Sequence, residues 1–371
     1  MKLRSIRVDE VELPLVEPFE TSFGVEERRR FLVVRAETRE GLVGWGECAA
    51  ASDPLYSSES VATARWMIGE RLVPVLWSID PPTSEGFLKE ASRFRGNQMA
   101  KAAVELALQD LRAKEDRTSL SHRLGGRRAR VHVGVSVGIH PTARALVARV
   151  GRYLDEGYDR IKLKVKPGWD REPLRAVRKE FPDIELWVDA NQAYPARAGP
   201  EIRRWAEQFN VAQVEQPFLE RAIRAHAALA RDARFRVCLD ESVVDPPSLE
   251  DALGARALTS LNVKVARVGG LSTALQLGRT ARRARVPSWV GGMLESGIGR
   301  AHNVALASTA PFVLSSDLSA SDRYYREEFT DPPFELGPKS TLKVPHGPGI
   351  GVHVDETKLA RFRRSSKTFR P

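Results

Sequence analysis

The chain has 371 residues, 42% hydrophobic and 29% charged, with 58 basic against 48 acidic side chains and a formal charge of +10. That length exceeds one ordinary domain and points to two, or to a barrel with an added domain. The composition is that of a soluble globular protein, and no apolar run approaches the roughly 18–20 residues of a membrane helix. The opening Met-Lys-Leu-Arg-Ser-Ile-Arg-Val lacks the apolar stretch of a signal peptide, so cytoplasmic residence is expected. Two cysteines, Cys48 and Cys238, cannot make a disulfide framework, and Cys238 reads as a small core hydrophobe within a strand. The basic residues are mixed with acidic ones, and clusters such as Arg282-Arg283 with Arg285, and Arg363-Arg364, read as solvated faces. Neither nucleic acid nor a membrane is an expected partner; a homo-oligomer is expected.

In chain order, residues 3–16 read as a strand and 30–48 as a hairpin around Arg39-Glu40-Gly41. Residues 58–77 and 97–115 read as helices, the second with Met99, Ala103, Leu106, Leu108 and Leu111 mostly at helical spacing. The polar, glycine-containing stretch 124–128 marks a boundary. Residues 1–125 are therefore expected to form an α+β capping domain.

From Val131 the pattern becomes apolar strands alternating with amphipathic helices. A strand at 131–137 and a helix near 141–156 come first. Five strands follow, closed by Lys164, Asp189, Glu215, Asp240 and Lys264, and two more lie at 287–291 and 312–315. The five polar residues stand 25, 26, 25 and 24 residues apart, one βα unit each. Eight such units over 126–322 predict a modified (β/α)8 TIM barrel, an α/β fold. A dinucleotide fold is disfavoured because no G-x-G-x-x-G follows the first strand. Beyond residue 322 the rhythm stops, and 323–371 is expected to complete the cap.

In such a barrel the strand C-termini carry the site. Asp189, Glu215 and Asp240 would converge there, a donor set suited to a hard cation such as Mg²⁺, with Mn²⁺ or another divalent ion as alternatives. Lys164 and Lys264 flank the trio. A lysine becomes a better base when burial and a neighbouring cation disfavour its charged form, and Lys162, on the same strand face, is such a neighbour for Lys164. A carboxylate substrate bound to the cation has an acidified α-proton, so abstraction of that proton is the natural reaction.

These residues resemble the enolase superfamily, in its muconate-cycloisomerase-like branch. The likeness is carried by the K-x-K of Lys162-Leu163-Lys164, by Asp189-Ala190-Asn191, Glu215-Gln216-Pro217 and Asp240-Glu241-Ser242, and by Asn262-Val263-Lys264. Within the branch, the stretches 18–24, 44–48, 53–57, 164–170 and 291–297 are similar to o-succinylbenzoate synthases that often double as N-succinylamino acid (N-acylamino acid) racemases.

The resemblance implies a lyase of menaquinone biosynthesis that dehydrates a cyclohexadiene precursor, with racemase activity beside it. By it, Lys164 is the base, Lys264 the enolate-stabilising cation or second base, and Asp189, Glu215 and Asp240 the metal ligands. Asn191 and Glu241 would orient those ligands. Arg267 goes with racemase competence, although Val265-Ala266 stands where Pro-Gly is usual. Phe19, Phe23 and Tyr56 of two cap loops, with Ser136, Gly292 and Met293, would touch a small carboxylate substrate. A dedicated N-succinylamino acid racemase is the alternative, ahead of a dipeptide epimerase or a muconate cycloisomerase. Residues 315–319 lack the Asp-x-Asp of dipeptide epimerases, and Gly291-Gly292 stands where mandelate-racemase-like dehydratases want a histidine. A non-catalytic basic binding protein is the reading from outside the class.

Overall fold

The computed structural model describes residues 2–371. Strands β1 (Leu3–Glu20), β2 (Val25–Thr38) and β3 (Val43–Cys48) form an antiparallel sheet. The predicted helix at 58–77 begins at Val61, where Ser60 and Thr63 make a capping box. It runs as α1 (Val61–Met67), a π turn (Ile68–Leu72) and α2 (Val73–Trp77). The short helix α3 (Ser84–Ala91) has no counterpart among the predicted elements, whereas α4 (Gln98–Glu115) lies within one residue of its predicted start. A further short helix, α5 (Leu120–Arg123), leads out of this region.

The predicted strand at 131–137 is two strands, β4 (Arg130–His132) and β5 (Val135–Val137). They part around Gly134, where an added Cβ would come within 2.2 Å of the Arg160 guanidinium. From β5 onward the chain alternates strand and helix. The strands are β6 (Arg160–Lys164), β7 (Glu185–Asp189), β8 (Gln213–Glu215), β9 (Arg236–Leu239), β10 (Ser260–Val263) and β11 (Ser288–Val290). Between and after them come α6 (Ala143–Glu156), α7 (Arg171–Glu180), α8 (Gly199–Gln208), α9 (Ile223–Ala230), α10 (Pro246–Gly254), α11 (Leu271–Arg283) and α12 (Gly297–Ala307). Helix starts obey local chemistry: Thr142 caps α6, and Asp245 with Ser248 makes a capping box around Pro246 at the start of α10.

Strands β5 to β11 are parallel neighbours in sequence order. The eighth segment, 312–317, makes isolated bridges instead of a ladder, yet it closes the ring from both sides. Val313 N–H donates to Ser288 O (2.9 Å) and Asp317 N–H to Val290 O (3.0 Å), while Gly134 N–H donates to Ser316 O (2.9 Å). This is the modified barrel with an antiparallel cap.

The two faces of the barrel strands differ sharply. Ile161, Leu163, Val188, Val214, Leu261 and Val263 turn outward into the buried cluster shared with the helices. The inner face carries Arg160, Lys162 and Lys164 in successive layers of β6, with Trp187, Cys238 and Trp289 packed as a separate small core. TIM barrels are usually filled by branched aliphatic side chains; this one is lined with charge.

After residue 322 the chain makes β12 (Thr330–Asp331), β13 (Leu336–Gly337), β14 (Thr341–Lys343), β15 (His353–Val354), α13 (Glu356–Phe362) and β16 (Arg363–Phe369). β14 pairs with β4, and β16 joins the outer edge of the cap sheet against β1. No helix among the described residues is long and apolar enough to cross a membrane.

Candidate active site

Parallel pairing in register brings Lys164 opposite Asp189, and Asp189 opposite Glu215, at the C-terminal ends of β6, β7 and β8. Asp240 follows β9 and Lys264 follows β10. β6 and β10 are the second and sixth members of the ring, four strands apart. The two lysines therefore face the centre from opposite sides.

Each carboxylate is matched to a cation. Lys164 Nζ donates to Asp189 Oδ2 and to Asn191 Oδ1, both at 2.7 Å. Lys162 Nζ donates to Glu215 Oε2 (2.6 Å) and lies 3.5 Å from Asp189 Oδ2. Lys264 Nζ donates to Asp240 Oδ2 (2.8 Å), and the Arg267 guanidinium pairs with the other oxygen of the same carboxylate. Glu215 also accepts from Asn262 Nδ2 (2.6 Å). No three His, Cys, Asp or Glu side chains among the described residues gather as a ready cage. The expected convergence of Asp189, Glu215 and Asp240 is thus expressed as three adjacent ion pairs, because a buried carboxylate takes whichever cation is at hand.

The loops after the strands are fixed by side-chain amides. Asn191 donates its backbone N–H to Asp189 Oδ1 (2.9 Å) and its Nδ2 to Glu241 Oε1 (3.1 Å). Gln216 accepts at Oε1 from the N–H groups of Asp240 (2.9 Å) and Ser242 (3.2 Å), tying the β8 loop to the β9 loop. Both Asn191 and Gln216 have positive φ, +41° and +36°, which is strained for a side chain as long as glutamine and is sustained by these bonds.

The electrostatics show where positive charge is short. Burial alone would discharge Lys264, but Tyr56, Glu241, Glu215 and Asp189 around it hold it well above the usual lysine value. Burial also works against Lys162, yet Asp317, Glu215 and Asp189 raise it as well. Asp189 is held down at about 2: burial would raise it, and Lys164, Lys162 and Lys264 outweigh that. Glu215 is nevertheless raised, first by burial and then by Asp189. Glu241 is raised to about 7 by burial and by Asp189, and its Oε2 accepts no hydrogen bond. Glu215 and Glu241 can accommodate more positive charge, and the hard oxygen donors of the group suit a divalent cation.

A cavity of about 290 Å³ opens over this group. Lys162, Lys164, Asp189, Asn191 and Lys264 reach its wall, whereas Glu215, Asp240, Glu241 and Arg267 lie behind, bonded to residues that do. Phe19, Phe23 and Tyr56 from the cap, and Ser136, Gly292 and Met293 from the barrel, are all on the wall. The Tyr56 hydroxyl accepts from Lys264 Nζ (3.1 Å) and Arg267 Nη1 (3.3 Å), and Phe23 packs on its ring. Arg267 also donates to the carbonyls of Val243 (3.0 Å) and Asn262 (2.7 Å). The turn with Val265-Ala266 in place of Pro-Gly is closed by Gly270 N–H to Val265 O (3.0 Å). Gly291 must lack a side chain: an added Cβ would meet Asn262 Oδ1 at 2.2 Å and Lys264 Cγ at 2.8 Å.

Sequence reasoning missed Asp317, Arg160 and Leu294. Asp317 is on the wall, accepts from Ser136 Oγ (2.9 Å) and pairs with Lys162 (2.5 Å) and Arg160 (2.6 Å). Leu294, also on the wall, has φ +59° and is held by the Tyr325 hydroxyl donating to its carbonyl (2.5 Å).

The family profile of the mandelate racemase / muconate lactonizing enzyme N-terminal domain matches residues 3–125, and that of the enolase C-terminal domain-like region matches 145–358. The chain is 43% identical over 353 residues to an N-succinylamino acid racemase of Amycolatopsis sp., covering 95% of each. It is 38% identical over 367 residues to an o-succinylbenzoate synthase of Listeria innocua, covering 99% of this chain and 98% of the other. A solved structure of an enolase-superfamily protein from Listeria innocua superposes with a TM-score of 0.94 at 37% identity, covering 100% of this chain and 99% of that one.

Proposed function

The chain belongs to the enolase superfamily, with the mandelate racemase / muconate lactonizing enzyme type of N-terminal domain, and from that premise we propose that it is an o-succinylbenzoate synthase of menaquinone biosynthesis that also racemises N-succinylamino acids. The observation that carries this reading is the pair of lysines, Lys164 and Lys264, on opposite sides of one cavity.

Asp189, Glu215 and Asp240 would hold Mg²⁺, or Mn²⁺ in its place, with Asn191 and Glu241 orienting them. When bound, the cation supplies positive charge that acidifies the α-proton of a carboxylate substrate. Lys164, held at Nζ by Asp189 and Asn191, takes that proton. In the dehydration it gives the proton back to the departing hydroxyl on the same face. Lys264, kept charged by its surroundings, stabilises the developing negative charge across the cavity. In racemisation it delivers a proton to the opposite face. Phe19, Phe23 and Tyr56 exclude water from above, and Ser136, Gly292 and Met293 contact the distal part of the substrate.

The charge count favours a dicarboxylate. Asp189, Glu215, Asp240, Glu241 and Asp317 are formally balanced by Arg160, Lys162, Lys164, Lys264 and Arg267, all buried. A divalent cation together with a doubly charged substrate preserves that balance. The reading carries with it a cytoplasmic enzyme working as a homo-oligomer, which light scattering tests.

A dedicated N-succinylamino acid racemase is the second reading. Racemases of Amycolatopsis sp. and Thermus thermophilus are 43% and 41% identical to this chain, against 38% for synthases of Listeria innocua and Geobacillus stearothermophilus. Turnover of the menaquinone precursor, and deuterium exchange of N-succinylamino acids in D₂O with and without Mg²⁺, separate the two. Turnover with exchange supports the first reading and exchange alone the second. Loss of both sinks the assignment.

A further inference from the structure

Beyond its expected place as a cation beside Lys164, Lys162 is the one lysine of the inner face that takes no part in the proposed proton transfers. Its side chain is 3% exposed, so its ammonium must be neutralised by protein. Three carboxylates surround it: Glu215 at 2.6 Å, Asp317 at 2.5 Å and Asp189 at 3.5 Å. Two of these are the proposed cation ligands. Glu215 lies two strands to one side of β6, and Asp317, on the closing segment, lies two positions to the other.

Asp317 is built to stay where it is. Ser136 Oγ donates to its Oδ2 at 2.9 Å, and Arg160 pairs with its Oδ1 at 2.6 Å from the layer below. Arg160 is fully buried, stacks at 4.5 Å on the Trp187 ring and occupies the space that a side chain at Gly134 would fill. Trp289, 4.7 Å from Lys162 Nζ, forms another wall.

Resting on the reading that Asp189, Glu215 and Asp240 hold a divalent cation, we infer that Asp317 is a positioning residue: it takes up the ammonium of Lys162 and so releases Glu215 to the cation, Asp189 being paired first with Lys164. The movement asked of Lys162 is small, since Asp317 is already in contact. Without Asp317 the ammonium has only the two ligand carboxylates to turn to, and it competes with the cation, above all for Glu215.

The test is calorimetric titration of the substrate-free protein with Mg²⁺, for the wild type, Asp317→Asn, Lys162→Met and the double variant, with circular dichroism as the check on folding. Asp317→Asn binds Mg²⁺ on the order of 10–100-fold more weakly, Asp317→Glu recovers most of the loss, and Asp317→Asn costs little further once Lys162 is replaced by Met, the signature of coupling between the two residues. Equal affinity in Asp317→Asn and wild type overturns the inference. So does an equal loss with and without Lys162, which would make Asp317 a distant charge only. Should Asp317→Asn not fold, Ser136→Ala carries the test: it releases one tie on Asp317, and binding weakens a few-fold with Lys162 present and not without it, unchanged affinity counting against the inference. A wild type that binds no Mg²⁺ overturns the metal reading itself, and this inference with it.

Discussion

On the proposed function Lys164 and Lys264 each move a proton, and general acid–base groups contribute about 10²–10⁴-fold to rate. Lys164→Ala therefore loses deuterium exchange and precursor turnover by at least that factor, measured by proton NMR and absorbance. Lys264→Ala loses racemisation equally; intact racemisation in that variant would end the two-base assignment. Tyr56→Phe removes only a hydroxyl that joins Lys264 to Arg267. With a buried hydrogen bond contributing about 0.5–1.5 kcal/mol, its kcat falls up to about tenfold while the fold is kept.

A different residue governs stability. Glu47 accepts from Ser296 N–H (3.1 Å), Ser296 Oγ (2.6 Å) and Gly299 N–H (3.0 Å), tying β3 to the start of α12. Burial first, with help from Glu295, raises its carboxyl to about 7. The folded state then holds a proton that the unfolded chain has released. Stability from this group is full below the unfolded value near ~4.3 and declines as pH rises through about 7, by at most on the order of 3 kcal/mol. The melting temperature falls from about pH 5 to about pH 8, and Glu47→Gln flattens that slope. Glu241, raised in the same window, leaves part of it.

At the level of elements, the row from Lys164 to Lys264 was legible because parallel βα units repeat at a fixed length and a shared register puts equivalent residues at one end of the sheet. The closing segment was legible only in part. The strand expected at 312–315 does close the ring, but through isolated bridges instead of a ladder, and Asp317, just beyond it, reads as a lone acid in a serine-rich loop. Arg160 was overlooked for another reason: a basic residue opening a strand reads as surface, although alternation with Lys162 and Lys164 puts it on their face. The split of 131–137 has the same origin, since Gly134 yields its space to Arg160. Gly134→Ala consequently overpacks the barrel floor and lowers stability by about 1–3 kcal/mol in denaturant melts; an unchanged midpoint would contradict the tight approach.

Across the whole molecule, the cap is drawn from both ends of the chain. β16 pairs with β1 from Ile6↔Phe369 to Val11↔Arg363, and the Phe369 ring sits 2.8 Å from where a Cβ on Gly69 would be, against the π turn. Removing residues 363–371 bares the β1 edge and that groove. Thermal scanning should show a melting temperature several degrees lower, and light scattering should show association through the exposed edge; a truncated chain as stable and monodisperse as its parent would make β16 ornamental.

The charge-lined interior has one more consequence. Asp189, Glu215, Asp240, Glu241 and Asp317 against Arg160, Lys162, Lys164, Lys264 and Arg267 leave the buried group at the strand ends formally neutral from protein alone. A dication entering by itself unbalances it in one direction, and a dianion entering by itself unbalances it in the other. On the proposed function, each ligand would prepare the site for its opposite, and by thermodynamic reciprocity the two would tighten each other by the same factor. The barrel would then work as a two-key lock, committed to chemistry only with metal and substrate both aboard.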